Sequence, residues 1–176
     1  SFIVLGRSRV GSNLLNSFLN QQKQVIAHSE LAGKLSGKSP EKLLDEIYCR
    51  YQRRIRAVGF KIFYYHPQDD ESGAIWEGLK EIDNLCVIHL KRKNILRTLL
   101  SREIAGKTNT YAQVGKNKKL DPIEKRRINL TPLKLIEGFQ QTRNWEHQFD
   151  EFFKILLKLI QLFNNFCLFR IFSYLF

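Results

Sequence analysis

The octapeptide Gly6-Arg7-Ser8-Arg9-Val10-Gly11-Ser12-Asn13 narrows the folds open to this chain more than any other stretch. It follows the apolar run Phe2-Ile3-Val4-Leu5 and precedes an apolar helical face of Leu14, Leu15, Phe18 and Leu19, which predicts a buried strand turning through glycines into a helix. Such a turn leaves backbone N–H groups unpaired at the helix start, where the macrodipole also favours negative charge. Glycine lets the backbone come close to an anion, Ser12 and Asn13 add side-chain donors, and Arg7 and Arg9 bring fixed positive charge with planar donor geometry. The stretch therefore predicts a cradle for phosphate or sulfate. A plain strand-to-helix connection is the alternative that the turn by itself leaves open.

The rest of the chain repeats the same alternation. Val25-Ile26-Ala27-His28 reads as a second strand, leading through Ser29-Glu30-Leu31 to a loop marked by Gly33, Ser36 and Gly37. Ser39-Pro40 is an N-cap and first helical residue, followed by Leu43, Leu44, Ile47, Tyr48 and Tyr51 at helical spacing. A strand from Ala57 to Tyr65 ends on His66-Pro67, and a helix carries Ile75, Trp76, Leu79 and Ile82. Leu85 to Leu90 is the next strand, and Asn94 caps a helix with Ile95, Leu96, Leu99, Leu100 and Ile104. The pattern lapses into a basic stretch from Gly106 to Asn129, then Thr131-Pro132 restarts a helix striped by Leu135, Ile136, Phe139, Thr142, Trp145 and Phe149. Strand and helix in alternation predict an α/β fold of three layers, a mostly parallel central sheet with helices on both faces. At 176 residues, one domain spanning 1–176 is expected.

Residues 152–176 differ in kind, being mostly Phe, Leu and Ile interrupted by Lys154, Lys158, Gln161, Asn164, Asn165 and Arg170. Those interruptions argue against a membrane span, because a charge at the bilayer centre costs about 2.5–3.5 kcal/mol on insertion scales. Truncation and a shifted reading frame are both open for this tail. The sequence contains no methionine, so it is expected to be a trimmed piece of a longer chain or one from which methionines were lost. With the first strand at the start of the sequence, no secretory leader is expected, and a cytoplasmic setting is expected for a bacterial source, with the Golgi lumen as the other candidate.

The net charge of +12, from 29 Lys and Arg against 17 Asp and Glu, predicts anionic partners without choosing among nucleotides, nucleic acid, anionic membranes and acidic sugars. Cys49, Cys86 and Cys167 are widely spaced and form no CxxC unit, so neither a zinc site nor a redox centre is expected, and Cys86 reads as a buried thiol.

The Gly6-to-Gly11 spacing resembles the phosphate-binding loop of nucleotide hydrolases, but Ser12-Asn13 stands where that motif has Lys and then Ser or Thr. The loop is more similar to the 5′-phosphosulfate loop of sulfotransferases that use 3′-phosphoadenosine 5′-phosphosulfate (PAPS). Arg9 falls on that loop's basic position, Val10 on its serine, Gly11 on its glycine, and Ser12 and Asn13 on its hydroxyl pair; Val10 and Asn13 are departures. A second signature follows in Val87-Ile88-His89-Leu90-Lys91-Arg92-Lys93-Asn94, which continues through Arg97 to Ser101. Arg92 and Ser101 match the basic residue and serine that hold the 3′-phosphate, at the separation seen in the bacterial trehalose and Nod-factor types. A guanidinium at a strand's carboxyl end and a hydroxyl from the next helix can converge on one dianionic phosphate.

This resemblance, over about residues 2 to 150, implies a nucleotide-hydrolase-like sulfotransferase fold. It also implies transfer of a sulfuryl group from PAPS to an acceptor hydroxyl, a carbohydrate or glycolipid being the expected acceptor. Cofactor contacts would come from Arg7, Ser8, Arg9, Val10, Gly11, Ser12, Asn13, Arg92 and Ser101, with no metal. Sulfuryl transfer needs a base for the acceptor hydroxyl and positive charge over the transferring oxygens. Arg9 supplies charge, and Glu30 and His66 compete as base; Glu30 is preferred because His66-Pro67 equally reads as a strand terminator. Lys61, on an apolar strand, is either snorkelling or a second clamp on the sulfuryl group. The other readings are a nucleotide kinase or triphosphatase, opposed by the missing Gly-Lys-Ser/Thr, and a basic nucleic-acid-binding domain resting on charge alone.

Overall fold

The structure is a computed structural model that describes residues 1–49, 51–111 and 127–154. Four strands form one sheet: β1 (Phe2–Gly6), β2 (Val25–His28), β3 (Ala57–Phe63) and β4 (Cys86–Leu90). Their order is β2-β3-β1-β4, and every pairing is parallel. β1 lies in the middle, with Phe2 opposite Gly59 on one side and Cys86 on the other.

Alternation along the strands divides the core between two faces. Ile3 and Leu5 of β1, Phe60 and Ile62 of β3 and Val87 of β4 share one cluster with Leu43, Leu44 and Ile47, with Ile75 and Leu79, and with Phe149 and Phe153. These helical residues belong to α2 (Pro40–Ile47), α3 (Ala74–Lys80) and the long final helix α5 (Pro132–Phe152), with Phe153 just after it. Phe2, Val4, Val25, Ala27 and Ile88 face the other way and pack with Leu19 of α1 (Ser12–Leu19). The chain is thus an α/β fold with a parallel sheet between helices, and α4 (Ile95–Thr108) joins the assembly by packing on α5.

Three helices begin at the residues expected of them. The side chains of Ser39, Asn94 and Thr131 accept hydrogen bonds from the backbone N–H groups of Lys42, Arg97 and Lys134, and Pro40 and Pro132 open their helices.

Other boundaries shift. β3 stops at Phe63, two residues short of the expected Tyr65, because the backbone turns there to bond His66 N–H to the Phe63 carbonyl. α4 runs through Gly106 to Thr108 and is ended by Asn109 in the left-handed region, φ 51°. The apolar face expected of α1 is split: Leu19 is buried, whereas Leu14 and Phe18 are 63% and 47% exposed. The stripe of α5 divides likewise, with Thr142 and Phe149 buried and Ile136 and Phe139 exposed. Cys86 is half-buried at the edge of the second cluster instead of fully buried. Arg50, the basic residues Lys116 to Arg126, Cys167 and the tail from residue 155 onward lie outside the described residues. Among the described residues, no helix is long and apolar enough to cross a membrane.

A candidate anion-binding cleft at the carboxyl edge of the sheet

Four parallel strands deliver all their carboxyl ends to one edge, which is where open α/β sheets place their sites. The loops leaving β1, β2, β3 and β4 there line a common cleft of about 2660 Å³. Its floor is the turn from β1 into α1. Arg9 has φ 72° and Gly11 has φ 104°, both in the left-handed region. Successive N–H groups in such a turn form a concave anion-binding nest, and a non-glycine residue holds that conformation only where its surroundings fix it. No side chain caps the start of α1, whose N-cap is Gly11. Gly6 sets the other end of the turn: a Cβ there would lie 2.8 Å from the Leu90 carbonyl oxygen of β4 and 3.2 Å from Val10 Cγ2. Only glycine lets the two strand ends come this close.

One wall of the cleft is built from guanidinium groups. Arg9 Nε donates to Ser101 Oγ of α4 at 2.8 Å, and its NH1 donates to the Tyr111 carbonyl. Arg92, just beyond β4, donates from NH1 to the Arg9 carbonyl at 3.1 Å. Arg9, Arg92 and Ser101, separated by as many as 92 positions, therefore meet directly beside the nest. Arg97, one helical turn before Ser101, lines the same wall; its spacing from Ser101 was the signal for it.

The opposite wall gathers Glu30, Lys61, Asn13 and His66. Lys61 is buried on β3, yet its Nζ reaches Glu30 Oε1 at 2.8 Å and also donates to Asn13 Oδ1 in the first turn of α1. His66 is buried, and its Nδ1 accepts the Phe63 N–H at 3.3 Å. That bond puts the proton of a neutral imidazole on Nε2, making the ring a donor on its other side. Burial lowers the His66 pKa first of all; Glu30 raises it and Lys61 lowers it further, so the three groups share one electrostatic neighbourhood. Gly33 lies between them: a Cβ built on it would be 3.6 Å from His66 Cε1 and 3.9 Å from Glu30 Cβ.

Ser8, Val10, Gly11 and Ser12 line the floor. Arg7 does not join them. It is 2% exposed and points into the scaffold, donating to the Gly138 carbonyl at 3.2 Å and to Thr142 Oγ1, with its guanidinium 5.5 Å from the centre of the Trp145 ring. Burial is the main cause of its lowered pKa, with Arg102 adding to it. Lys61 emerges as a site residue tied to Glu30 and not as a snorkelling side chain. Tyr65 and Trp145 also line the cleft, half-buried, with ring centres 5.9 Å apart.

Behind the cleft the histidines that the strand runs carry are satisfied. His28 Nε2 meets the Tyr51 hydroxyl at 3.2 Å. Tyr64 Oη donates to His89 Nε2 at 2.7 Å, and His89 Nδ1 donates to Asp150 Oδ1 at 3.0 Å, with Lys91 on the other carboxylate oxygen. Burial holds the His89 pKa down at about 4. Among the described residues, no group of three or more His, Cys, Asp or Glu side chains is placed to hold a metal ion.

No family model matches this chain, and no solved structure matches it. A curated relative, Nodulation protein H of Rhizobium tropici, is 27% identical over 137 residues, which is 69% of this chain. The chain spans about half the length of that relative, 52%.

Proposed function

We propose that this chain carries the nucleotide-binding and catalytic cleft of a PAPS-dependent sulfotransferase acting on a hydroxyl acceptor, of which a carbohydrate or glycolipid is the favoured class. The observation that carries the reading is the meeting of Arg9, Arg92 and Ser101 beside an uncapped helix start. The similarity to a relative named for nodulation accords with the separation of Arg92 and Ser101, which resembles the Nod-factor type.

The donors present fit a molecule with anionic groups at two places. The turn amides, Ser12 and Arg9 suit the phosphosulfate end, and Arg92 with Ser101 suits the 3′-phosphate, through charge-assisted hydrogen bonds. PAPS supplies the activated sulfuryl group, and the chain's own residues bind, orient and move a proton. Glu30 accepts the proton of the acceptor hydroxyl, while His66, with its proton on Nε2, serves as a donor toward developing negative charge. The geometry thereby favours Glu30 over His66 as base. Tyr65 and Trp145, with Gln141 beside them, offer the half-buried aromatic and amide surface that suits a sugar ring.

Thermal unfolding with 3′-phosphoadenosine 5′-phosphate (PAP), with ATP and magnesium, and with an oligonucleotide separates this reading from its rivals. PAP alone is expected to raise the Tm, since a ligand at 100 times its Kd stabilises by about 2.7 kcal/mol. A rise with ATP and magnesium but not PAP indicates a kinase or triphosphatase and overturns the proposal, as does a rise with the oligonucleotide alone.

A further inference from the structure

Lys61 stands out as a cation with two claims on it. Its side chain is 3% exposed on a strand otherwise filled with apolar residues, where an ammonium is costly unless it is paired. The pairing comes from both neighbours in the sheet. β3 lies between β2 and β1, so Lys61 reaches Glu30 in the loop after β2 and Asn13 in the helix after β1. One ammonium thus touches the candidate base and the first turn of the anion loop together. An ammonium has three N–H donors, and these two bonds use two of them.

We propose that Lys61 couples the anion loop to Glu30: an anion in the loop and the Glu30 carboxylate compete for the same ammonium. Binding in the nest draws Lys61 toward the anion and loosens its hold on Glu30, so that the carboxylate is freed toward the acceptor hydroxyl. No covalent step is involved, only the exchange of one ion-pair partner for another. Because such coupling is reciprocal, whatever weakens the Lys61–Glu30 bond must strengthen anion binding by the same factor. Lys61 is a positioning residue for the base and a conditional ligand of the anion. This inference rests on the loop as an anion cradle and not on the transfer reaction, so pyrophosphate is a valid probe alongside PAP.

The test is a double-mutant cycle read by calorimetric titration of pyrophosphate and of PAP into the full chain. Glu30→Gln is expected to tighten binding about fivefold or more, within the usual range of coupling between sites. Lys61→Met is expected to weaken it, and in that background the gain from Glu30→Gln should fall to less than about twofold, the partner having gone. Lys61→Gln, which keeps a donor but not the charge, should behave like Lys61→Met and guards against a Met variant that fails to fold. A merely structural lysine would not move the response to Glu30→Gln. An equal or larger gain with Lys61 removed points to direct repulsion between Glu30 and the anion and overturns the proposal, as does no gain in the unmodified background. Pyrophosphate binding that keeps the coupled pattern while PAP does not bind sinks the sulfotransferase reading and supports the Lys61 exchange.

Discussion

The two walls of the cleft solve opposite electrostatic problems. On the β2–β3 side, Glu30, Lys61 and Asn13 satisfy one another, and His66 is held by a backbone N–H. On the β1–β4 side, Arg92 donates to the Arg9 carbonyl and Arg9 to the Ser101 hydroxyl and the Tyr111 carbonyl, so neutral oxygens and not carboxylates meet these two guanidinium groups among the described residues. The first wall is close to neutral and offers groups that exchange protons. The second keeps a surplus of positive charge and offers groups that hold anions. Under the proposed function, the difference assigns binding and proton transfer to separate strand ends, with the nest between them.

That division can be broken most directly at Glu30. Glu30→Gln is expected to lower turnover by about 10²–10⁴-fold, the usual contribution of a positioned base, without weakening nucleotide binding. Steady-state sulfate transfer to an acceptor panel measures the first part and titration with PAP the second. Near-normal turnover would move the base to His66 and erase the distinction between the walls. On the other side, Arg92→Ala is expected to raise the Kd for PAP by about 10- to 100-fold, because a bond to a charged group is worth roughly 1.5–3 kcal/mol. A loss confined to kcat would contradict the binding role of that wall.

The scaffold shared by both walls is sensitive to pH through His89. Burial, with Lys91 adding to it and Asp150 opposing, holds the folded-state pKa at about 4, below the ordinary value of about 6.5 in the unfolded chain. Between these values the unfolded state carries more protons, so stability rises with pH. The contribution is full above about pH 6.5 and is lost as pH falls toward 4, at up to about 1.4 kcal/mol per pH unit. Urea titrations across this range should show that slope, and His89→Gln should flatten it. The smallest effect is expected of Ser101→Ala, which should weaken PAP binding by about three- to tenfold through one lost hydroxyl contact worth about 1 kcal/mol. An effect equal to that of Arg92→Ala would mean that the hydroxyl and not the guanidinium dominates the wall.

Much of the frame was legible because the signals for it are local. Capping by Ser39, Asn94 and Thr131 is a matter of one side chain and an N–H three residues on, and the strands are apolar runs between turn residues. The glycine turn was legible for the same reason. The fates of Arg7 and Arg9 were not, since both are arginines in one loop and only tertiary partners separate them. Arg7 finds its partners at Gly138 and Thr142, more than 130 positions away, and leaves the expected set of cofactor contacts for the scaffold. Lys61 was visible as an anomaly on an apolar strand, but its partners depend on strand order, which alternation alone does not give. Exposure of Leu14 and Phe18 likewise depends on how α1 rolls against the sheet, and the apolar pattern tolerates more than one angle.

Arg7 has one more consequence. Its guanidinium binds the end of β1 to the middle of α5 and lies against Trp145, a side chain of the far rim. The strand end that opens the anion loop and the aromatic lining at Trp145 are thereby held as one piece, so a change at Gly138 or Thr142 on the outer helix would be felt at the loop and at the ring together.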